Sequence, residues 1–529
     1  MNKRDYNVLF HSHTVSGIVI SVALYIIFFC GAFSLFKDEI TAWEKGETVD
    51  LIAINNIDVD RIIDTLKQRN YHLFGRDIHI RKADVKEEMY VRLSASKELS
   101  VVNDPSKLYY FNIHTDTYRV TSYYSFYSIG EFIYRLHFFS QIPRVGMYLA
   151  GMVAFFFLFA IVTGVLIHWK KIISNFFLFR PGKKIKMVWS DAHTVLGVIG
   201  LPFQFMFGIT SCFLALSILV LTPANYLYNN NQKKLMEDFR PMMKSEAIAE
   251  KGSANNTLNP LLNLALEKWD NFTPETIRIR NYGAKNMSFQ VDGLLDSKDR
   301  FLGNGRLIYD VNKEELTSIK NPYKSDYLES VELFMRKMHY GDYGGILVKI
   351  IYFILALITC FVIISGVLIW LEARNKKSIS PKKKLYNLNV GHIYLAISLS
   401  LYPIIAFSLL FAKLLPRSYD NDRQSILYTV FFLSWLLLSV FFRYKRDNYF
   451  TTKNTFLLGG VLGISVPLVN GFSSGNWIWI TFVEEQNAIL FVDVFWICLS
   501  VISFLIVFKM KQEESNIRYK SLKQELSLI

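Results

Sequence analysis

His13-Thr14-Val15-Ser16-Gly17-Ile18 opens an apolar run that continues to Phe36 and stops at Lys37-Asp38-Glu39. At about 1.5 Å of rise per helical residue, such a run is long enough to cross a hydrocarbon core of about 30 Å. The same opening returns at His193-Thr194-Val195-Leu196-Gly197-Val198, again leading into a membrane-length apolar run. A second echo follows each of these. Arg135-Leu136-His137 precedes a run ending in Gly164-Val165-Leu166-Ile167, and Lys337-Met338-His339 precedes one ending in Gly366-Val367-Leu368-Ile369. Both members of this second echo are displaced by 202 residues, from 137 to 339 and from 164 to 366. The chain is therefore built on a duplicated unit: a histidine-headed helix, an extramembrane insert, and a second histidine-headed helix.

The 529 residues are 51% hydrophobic and 15% aromatic, more apolar material than a soluble core needs. Eight stretches have the length and apolarity of a span: Val15–Phe36, Val145–Trp169, His193–Leu221, Leu347–Trp370, His392–Leu415, Ile426–Phe442, Phe456–Phe472 and Ala488–Phe508. The first is too long for a cleaved signal peptide and runs directly into Lys-Asp-Glu-Ile, so it is expected to stay as an anchor. Lysine and arginine crowd alternate loops: Lys3 and Arg4; Lys170, Lys171, Arg180, Lys183, Lys184 and Lys186; Arg374, Lys376, Lys377 and Lys382 to Lys384; and Arg443, Lys445 and Arg446. All fall on one side if every run spans once, which places that side, and the N-terminus, in the cytoplasm. The net charge of +14 is mostly this topological signal, and no nucleic-acid partner is expected. Cys30, Cys212, Cys360 and Cys498 each fall inside an apolar run and read as buried small hydrophobes.

The expected map follows. Spans occupy 8–36, 141–169, 191–222 and 341–371; outer inserts occupy 37–140 and 223–340; basic loops occupy 170–190 and 372–388. Four further spans fill 389–510, and an inside tail covers 511–529. In the first insert, helical spacing over Val59–Lys67 precedes alternating strands at Met89–Leu93 and Tyr109–Ile113. In the second, a helix over Leu258–Trp269 precedes strands near Thr276–Arg280, Met287–Val291 and Arg306–Tyr309. Both end in a strand, a polar turn and another strand, at 113–120 and 309–316. Each insert reads as a small α+β domain.

A helix followed by strands and the hairpin Tyr309-Asp310-Val311-Asn312-Lys313-Glu314-Glu315-Leu316 resembles a PepSY domain. Two such inserts among histidine-headed helices resemble the PepSY-associated transmembrane proteins, the iron-regulated group that includes bacterial ferric-siderophore reductases. The resemblance covers about residues 8–375. Its most specific pieces are His-Thr-Val-x-Gly, Trp189-Ser190-Asp191-Ala192-His193 and the closing Thr/Ser-Gly-Val-Leu-Ile. It implies a mainly α integral membrane protein with two PepSY-like periplasmic domains, carrying b-type haem and passing electrons across the bacterial inner membrane. Residues 385–529 lie outside it.

The duplication makes its own argument for the same chemistry. Parallel repeats are related by an axis along the membrane normal, so equivalent residues face each other at equal depth. His13 and His193 form one such pair near the cytoplasmic face, and His137 and His339 another near the outer face. A haem on the axis takes one imidazole from each copy, giving six-coordinate iron suited to electron transfer. Two haems b at two depths make a wire. A lone histidine in such a place reads more simply as a headgroup-level residue; recurrence in both copies with matching neighbours argues against that. His168 ends the second span where the other copy has Trp370, and three roles fit it: inner ligand in place of His13, propionate partner, or interfacial residue. His11 lies on a nearly opposite helix face from His13. His392 is a third inner site or none, and His72, His79 and His114 are expected in solvent.

The stretch Tyr123-Tyr124-Ser125-Phe126-Tyr127 and the glycines Gly341, Gly344 and Gly345 suit a porphyrin face or ordinary packing equally. Arg135, Lys337, Arg144 and Lys349 are candidates for propionate pairing or for interface anchoring. No GxGxxG follows a strand, and no inside loop before the tail can hold a flavin or nicotinamide domain. Electrons must then come from membrane quinol or a separate reductase. The expected acceptor is a ferric siderophore outside the membrane, drawn by Arg76, Arg81, Lys82, Arg278 and Arg280. Two rival readings use the same helices: a permease for a siderophore or other small molecule, and a non-enzymatic regulator whose PepSY domains bind an outside protease.

Overall fold

In the computed structural model the His13 run is one continuous helix, α1 (Lys3–Ser34), capped by Asn2, whose side chain accepts the Asp5 N–H at 2.8 Å. The structure describes residues 2–47, 54, 57–82, 88–98, 107–122, 127–177, 180, 185–220, 222–239, 246–252, 257–324, 327–376 and 378–510. Tyr123-Tyr124-Ser125-Phe126 and the tail 511–529 lie outside them. After α1 come α2 (Lys37–Lys45), α3 (Val59–Gln68), β1 (Ile78–Lys82), β2 (Glu88–Leu93), β3 (Tyr109–His114) and β4 (Val120–Ser122). Then follow α4 (Ile129–His137), α5 (Gly146–His168), α6 (Ile185–Ile199) and α7 (Leu201–Val220). The second insert contains α8 (Asn259–Leu266), β5 (Phe272–Arg280), β6 (Ser288–Leu295), β7 (Asn304–Asp310) and β8 (Glu315–Lys320). The chain continues with α9 (Tyr327–Tyr340), α10 (Gly345–Ala373), α11 (Pro381–Leu414), α12 (Arg423–Lys445), α13 (Asn448–Ser474) and α14 (Asn487–Lys509).

Among the described residues, seven helices are long and apolar enough to cross a membrane: α1, α5, α10, α11, α12, α13 and α14. The chain is a multi-pass membrane protein. The third run departs from the straight span expected at His193–Leu221. It is two helices, α6 and α7, meeting at 68° across Gly200. The cause is local: Pro202 has no N–H to donate and its ring crowds the preceding turn, while Gly200 carries no side chain to resist the bend. The helix restarts at once, with the Gln204 N–H bonded to the Gly200 carbonyl at 2.8 Å.

The chain divides into two compact units. One comprises Met1–Gly46, Ser128–Leu219 and Met338–Ile529, and is helical. Within it α1 packs against α4, α5 and α10. The most enclosed span is α11, with 83% of its apolar window buried against 22 to 50% for the other straight spans. Elsewhere the spans present Leu436, Leu437, Phe155 and Ile502 outward, as lipid-facing surfaces do.

The other unit, Glu47–Tyr127 with Val220–Lys337, contains both inserts. They are not separate domains. Their strands form one antiparallel sheet of eight, ordered β4-β3-β2-β1-β5-β6-β7-β8, joined where Ile78 faces Ile279 and Ile80 faces Ile277 across β1 and β5. Apart, each four-stranded half would leave β1 or β5 as an open edge with unpaired backbone groups, and each core would be small. Joined, they share one core, in which Ile62, Ile63 and Leu66 of α3 and Leu261, Leu262 and Ala265 of α8 cover the apolar sheet face. The two helices also cap each other: Asp60 accepts the N–H groups of Leu258 and Asn259 at 2.7 and 3.0 Å, and Asn259 accepts the Val59 N–H at 2.9 Å.

Candidate functional site

His13 lies on α1 with Nδ1 2.8 Å from the Ala160 carbonyl of α5. A carbonyl only accepts, so Nδ1 is assigned the proton and Nε2 keeps the lone pair. His193 on α6 repeats the arrangement, with Nδ1 3.0 Å from the Val362 carbonyl of α10 and 3.1 Å from Ser365 Oγ. Ala160 and Val362 are related by the same 202-residue displacement as His137 and His339. Four residues after each accepting carbonyl, on the same helix face, comes a glycine. A Cβ on Gly164 would stand 3.1 Å from His13 Cε1, and one on Gly366 would stand 3.3 Å from His193 Cε1.

The third histidine uses the same seat. His137, the last residue of α4, has Nδ1 2.6 Å from the Ile27 carbonyl of α1, and a Cβ on Gly31 would come within 2.6 Å of that nitrogen. In the second copy Ser211 stands at the position equivalent to Gly31, and the seat changes accordingly. His339 on α9 has Nδ1 3.0 Å from Thr210 Oγ1. That hydroxyl donates its own hydrogen to the Met206 carbonyl at 2.8 Å, so it accepts from the imidazole. All four rings thus direct Nδ1–H into the protein and leave the Nε2 lone pair uncommitted to these bonds. Fixing the tautomer through the other ring nitrogen is how ligand histidines are oriented.

The rings pair as the repeat requires. The centroids of His13 and His193 are 6.3 Å apart, and those of His137 and His339 are 6.0 Å apart. Two imidazoles bound on opposite sides of one metal, each at about 2 Å, put their centroids about 6 Å apart. Among the described residues no group of three or more His, Cys, Asp or Glu side chains is disposed to hold a bare metal ion. A histidine pair can supply two ligands to a metal whose other positions are filled by a bound group. The residues fit bis-histidine haem. Phe207 lies 5.2 Å from the His339 ring. Ile27 follows His13 by fourteen residues on the same helix, so the two seats are about 21 Å apart along α1.

The remaining candidates fall into place around these pairs. His168 ends α5, within electrostatic reach of His13 and His193. His11 is exposed. His392 is buried on α11, where its charged neighbours are Arg443, Arg446 and Asp447. Gly341 is left-handed at φ 65° and a Cβ there would meet Tyr352 at 2.9 Å, so it serves the turn into α10. Arg135 is bonded to Glu131 at 2.6 Å, Lys349 to Glu39 at 2.8 Å, and Lys337 to Ser297 Oγ and the Phe301 carbonyl at 2.8 Å each. Arg144 is exposed in a left-handed turn.

Two expectations about the insert fail. Arg76 is not a surface attractant: it is 1% exposed and donates to the carbonyls of His72, Ser94 and Lys107 at 2.6, 2.5 and 2.8 Å. A guanidinium has five donors and can close three loop carbonyls at once. His79 is half-buried rather than open to solvent. It sits on β1 between Arg92 and Arg278 in register, and burial, then the charges of Arg278, Arg81 and Arg92, push its pKa down to about 4. Arg81 lies over the Tyr90 ring at 4.6 Å, and Arg278 is 3.5 Å from Asp292. His72 is 3.6 Å from Glu98.

Sequence reading missed the acceptors Ile27, Ala160, Thr210 and Val362. The signal within reach was the glycine: Gly164 and Gly366 were legible as a repeated helix end, but not as the floor beneath an imidazole. The profile of a family described as PepSY-associated TM region matches residues 10–373. No curated protein matches the chain.

Proposed function

Since the chain belongs to the PepSY-associated TM region family, we propose that it is an inner-membrane electron-transfer protein holding two haems b at two depths. The observation that carries this reading is the pair of histidine pairs, each with its rings about one bis-imidazole spacing apart and each Nδ1–H already committed. Bound haem supplies a one-electron couple. The chain's part is to fix the ligand rings, set their basicity through the Nδ1–H bonds, and exclude water between the sites. Leu24 and Tyr25, on the stretch of α1 between the two seats, and Phe28 and Phe29, within the second seat, are all buried.

In this reading the His13–His193 pair lies on the basic-loop, cytoplasmic side and accepts electrons from membrane quinol or a separate reductase. The His137–His339 pair lies on the side of the PepSY-like inserts, in the periplasm, and reduces an acceptor there. A ferric chelate is charged and bulky and cannot enter the hydrocarbon core to collect an electron, so reduction outside requires an outward-facing donor. Ferric siderophore is the proposed acceptor, with Fe(II) released as product. Neither a permease nor a protease regulator calls for four histidines in two matched seats.

The test is a visible spectrum and a pyridine haemochrome assay on protein from haem-replete cells. Two haems per chain are expected, with His339→Ala losing one and His193→Ala the other. Ferric siderophore added to the dithionite-reduced protein should reoxidise it and yield Fe(II) trapped by a ferrozine-type chelator, more slowly in His339→Ala. Protein without haem would end the reading. Haem with no reoxidation by any ferric chelate would keep the wire and discard iron as its acceptor.

A further inference from the structure

The family match ends at residue 373, and nothing in it accounts for α11–α14. These helices are fastened to the rest of the helical unit by buried charge. Arg423, at the start of α12 and 2% exposed, donates to Glu44 Oε1 of α2 at 2.5 Å and to the Ala412 carbonyl at 2.6 Å. Asp493 of α14, fully buried, accepts from Trp43 Nε1 and Asn470 Nδ2 at 2.8 Å each. Lys413 donates to the Trp43 carbonyl, and Asn476 to the Gly46 carbonyl at 3.1 Å. The whole α2 segment is gripped from the C-terminal side.

That grip reaches a histidine. The second oxygen of Glu44 accepts the N–H of Ile129, the first residue of α4, at 2.7 Å. Beside it Ser128 caps α4, accepting the Glu131 N–H at 3.0 Å, and bonds Thr41 of α2 at 2.9 Å. A Cβ on Gly130 would stand 2.6 Å from the Lys37 carbonyl, so the first turn of α4 lies directly on α2. Phe132 of α4 packs on Phe431 of α12 with centroids 4.7 Å apart. Nine residues are too few for a helix to hold itself together in isolation, so the place of α4 is set by what it touches. Its last residue is His137. A buried ion pair is also a poor way to gain stability alone, because desolvation offsets much of the attraction and an apolar pair of similar volume does as well. What such a pair does supply is a fixed geometry.

We infer that α11–α14 are a positioning module for the His137–His339 pair, with Glu44 and Arg423 as the positioning residues that fix α4. This rests on the dihaem reading for its consequence, though not for its mechanics. The experiment uses the full-length, haem-loaded protein and two readouts: the low-spin ferric resonance signals of the two haems, and hydrogen exchange of backbone amides 129–137. Glu44→Ala should alter or remove one haem signal, leave the His13–His193 signal unchanged, and speed exchange over 129–137 at least tenfold. Glu44→Gln, which can still accept the Ile129 N–H, should restore most of both. If Glu44→Ala does not fold, Arg423→Lys keeps the charge but loses the fork, and should shift the same signal and the same amides to a smaller degree. Both haem signals changing together, or neither changing with exchange at the wild-type rate, overturns the inference. Wild-type protein with no haem would remove the dihaem reading, and exchange over 129–137 would then decide the mechanical claim alone.

Discussion

His137 approaches the Ile27 carbonyl where Gly31 leaves no side chain in the way. The glycine and the histidine are a matched pair: the imidazole occupies the volume a Cβ would need. Gly31→Ala therefore has to move the ring or the helix, at a cost of about 1–3 kcal/mol. The expected outcome is a fall in haem content toward one per chain, with the His13–His193 site retained. Gly164→Ala and Gly366→Ala, where the contacts would be 3.1 and 3.3 Å, should perturb the other site more mildly. A haemochrome assay on the three variants orders them.

Thr210 is the side-chain acceptor that replaces a backbone carbonyl for His339. Thr210→Val is nearly isosteric but leaves Nδ1–H without its acceptor. Loss of such an outer-shell bond typically weakens metal binding by 10- to 100-fold. Thr210→Val should release one haem on dilution or against an apo-globin trap, and Thr210→Ser should retain it. The remaining haem in Thr210→Val should have an unchanged midpoint potential.

His168 and His13 are told apart by their bonds. His13 has its Nδ1 tied to Ala160 and its ring paired with His193, whereas His168 terminates the helix beyond them. His13→Ala should abolish one haem while His168→Ala keeps both. Retention in His13→Ala with loss in His168→Ala would move the ligand role to His168.

His79 makes the insert's stability depend on pH. Folded, the imidazole titrates near 4; unfolded, it returns to about 6.5. The unfolded chain binds the extra proton first, so this contribution is complete above about pH 6.5 and is lost progressively as pH falls toward 4. Its full size is about 3.4 kcal/mol before allowance for partial exposure, and smaller after it. Protection factors of the β1 and β5 amides, taken relative to the slower intrinsic exchange at low pH, should fall between pH 6.5 and 4 in the wild type, and His79→Gln should flatten that dependence.

The sequence by itself determined the repeat, the seven straight spans and the recurrence of the four histidines, because each is written in local pattern. An apolar run of membrane length declares itself without reference to its neighbours, and so does a histidine recurring with the same flanking residues. The strands at 276–280 and 306–309 were legible from alternation for the same reason. What tertiary structure alone decided is every relationship between residues far apart in the chain. Neither insert carries a mark showing that β1 will pair with β5; both edges are simply strands, and only their meeting satisfies the open backbone. The bend at Gly200 was within reach, since Pro202 stands beside it, yet an apolar run masks a break that costs nothing in composition. The acceptors at Ile27, Ala160 and Val362 are backbone carbonyls, which every residue possesses, so side-chain identity cannot announce them. Glu44, Arg423 and Asp493 become a buried clamp only when α2, α12 and α14 come together, because a charge is buried by its surroundings and never by its own residue type.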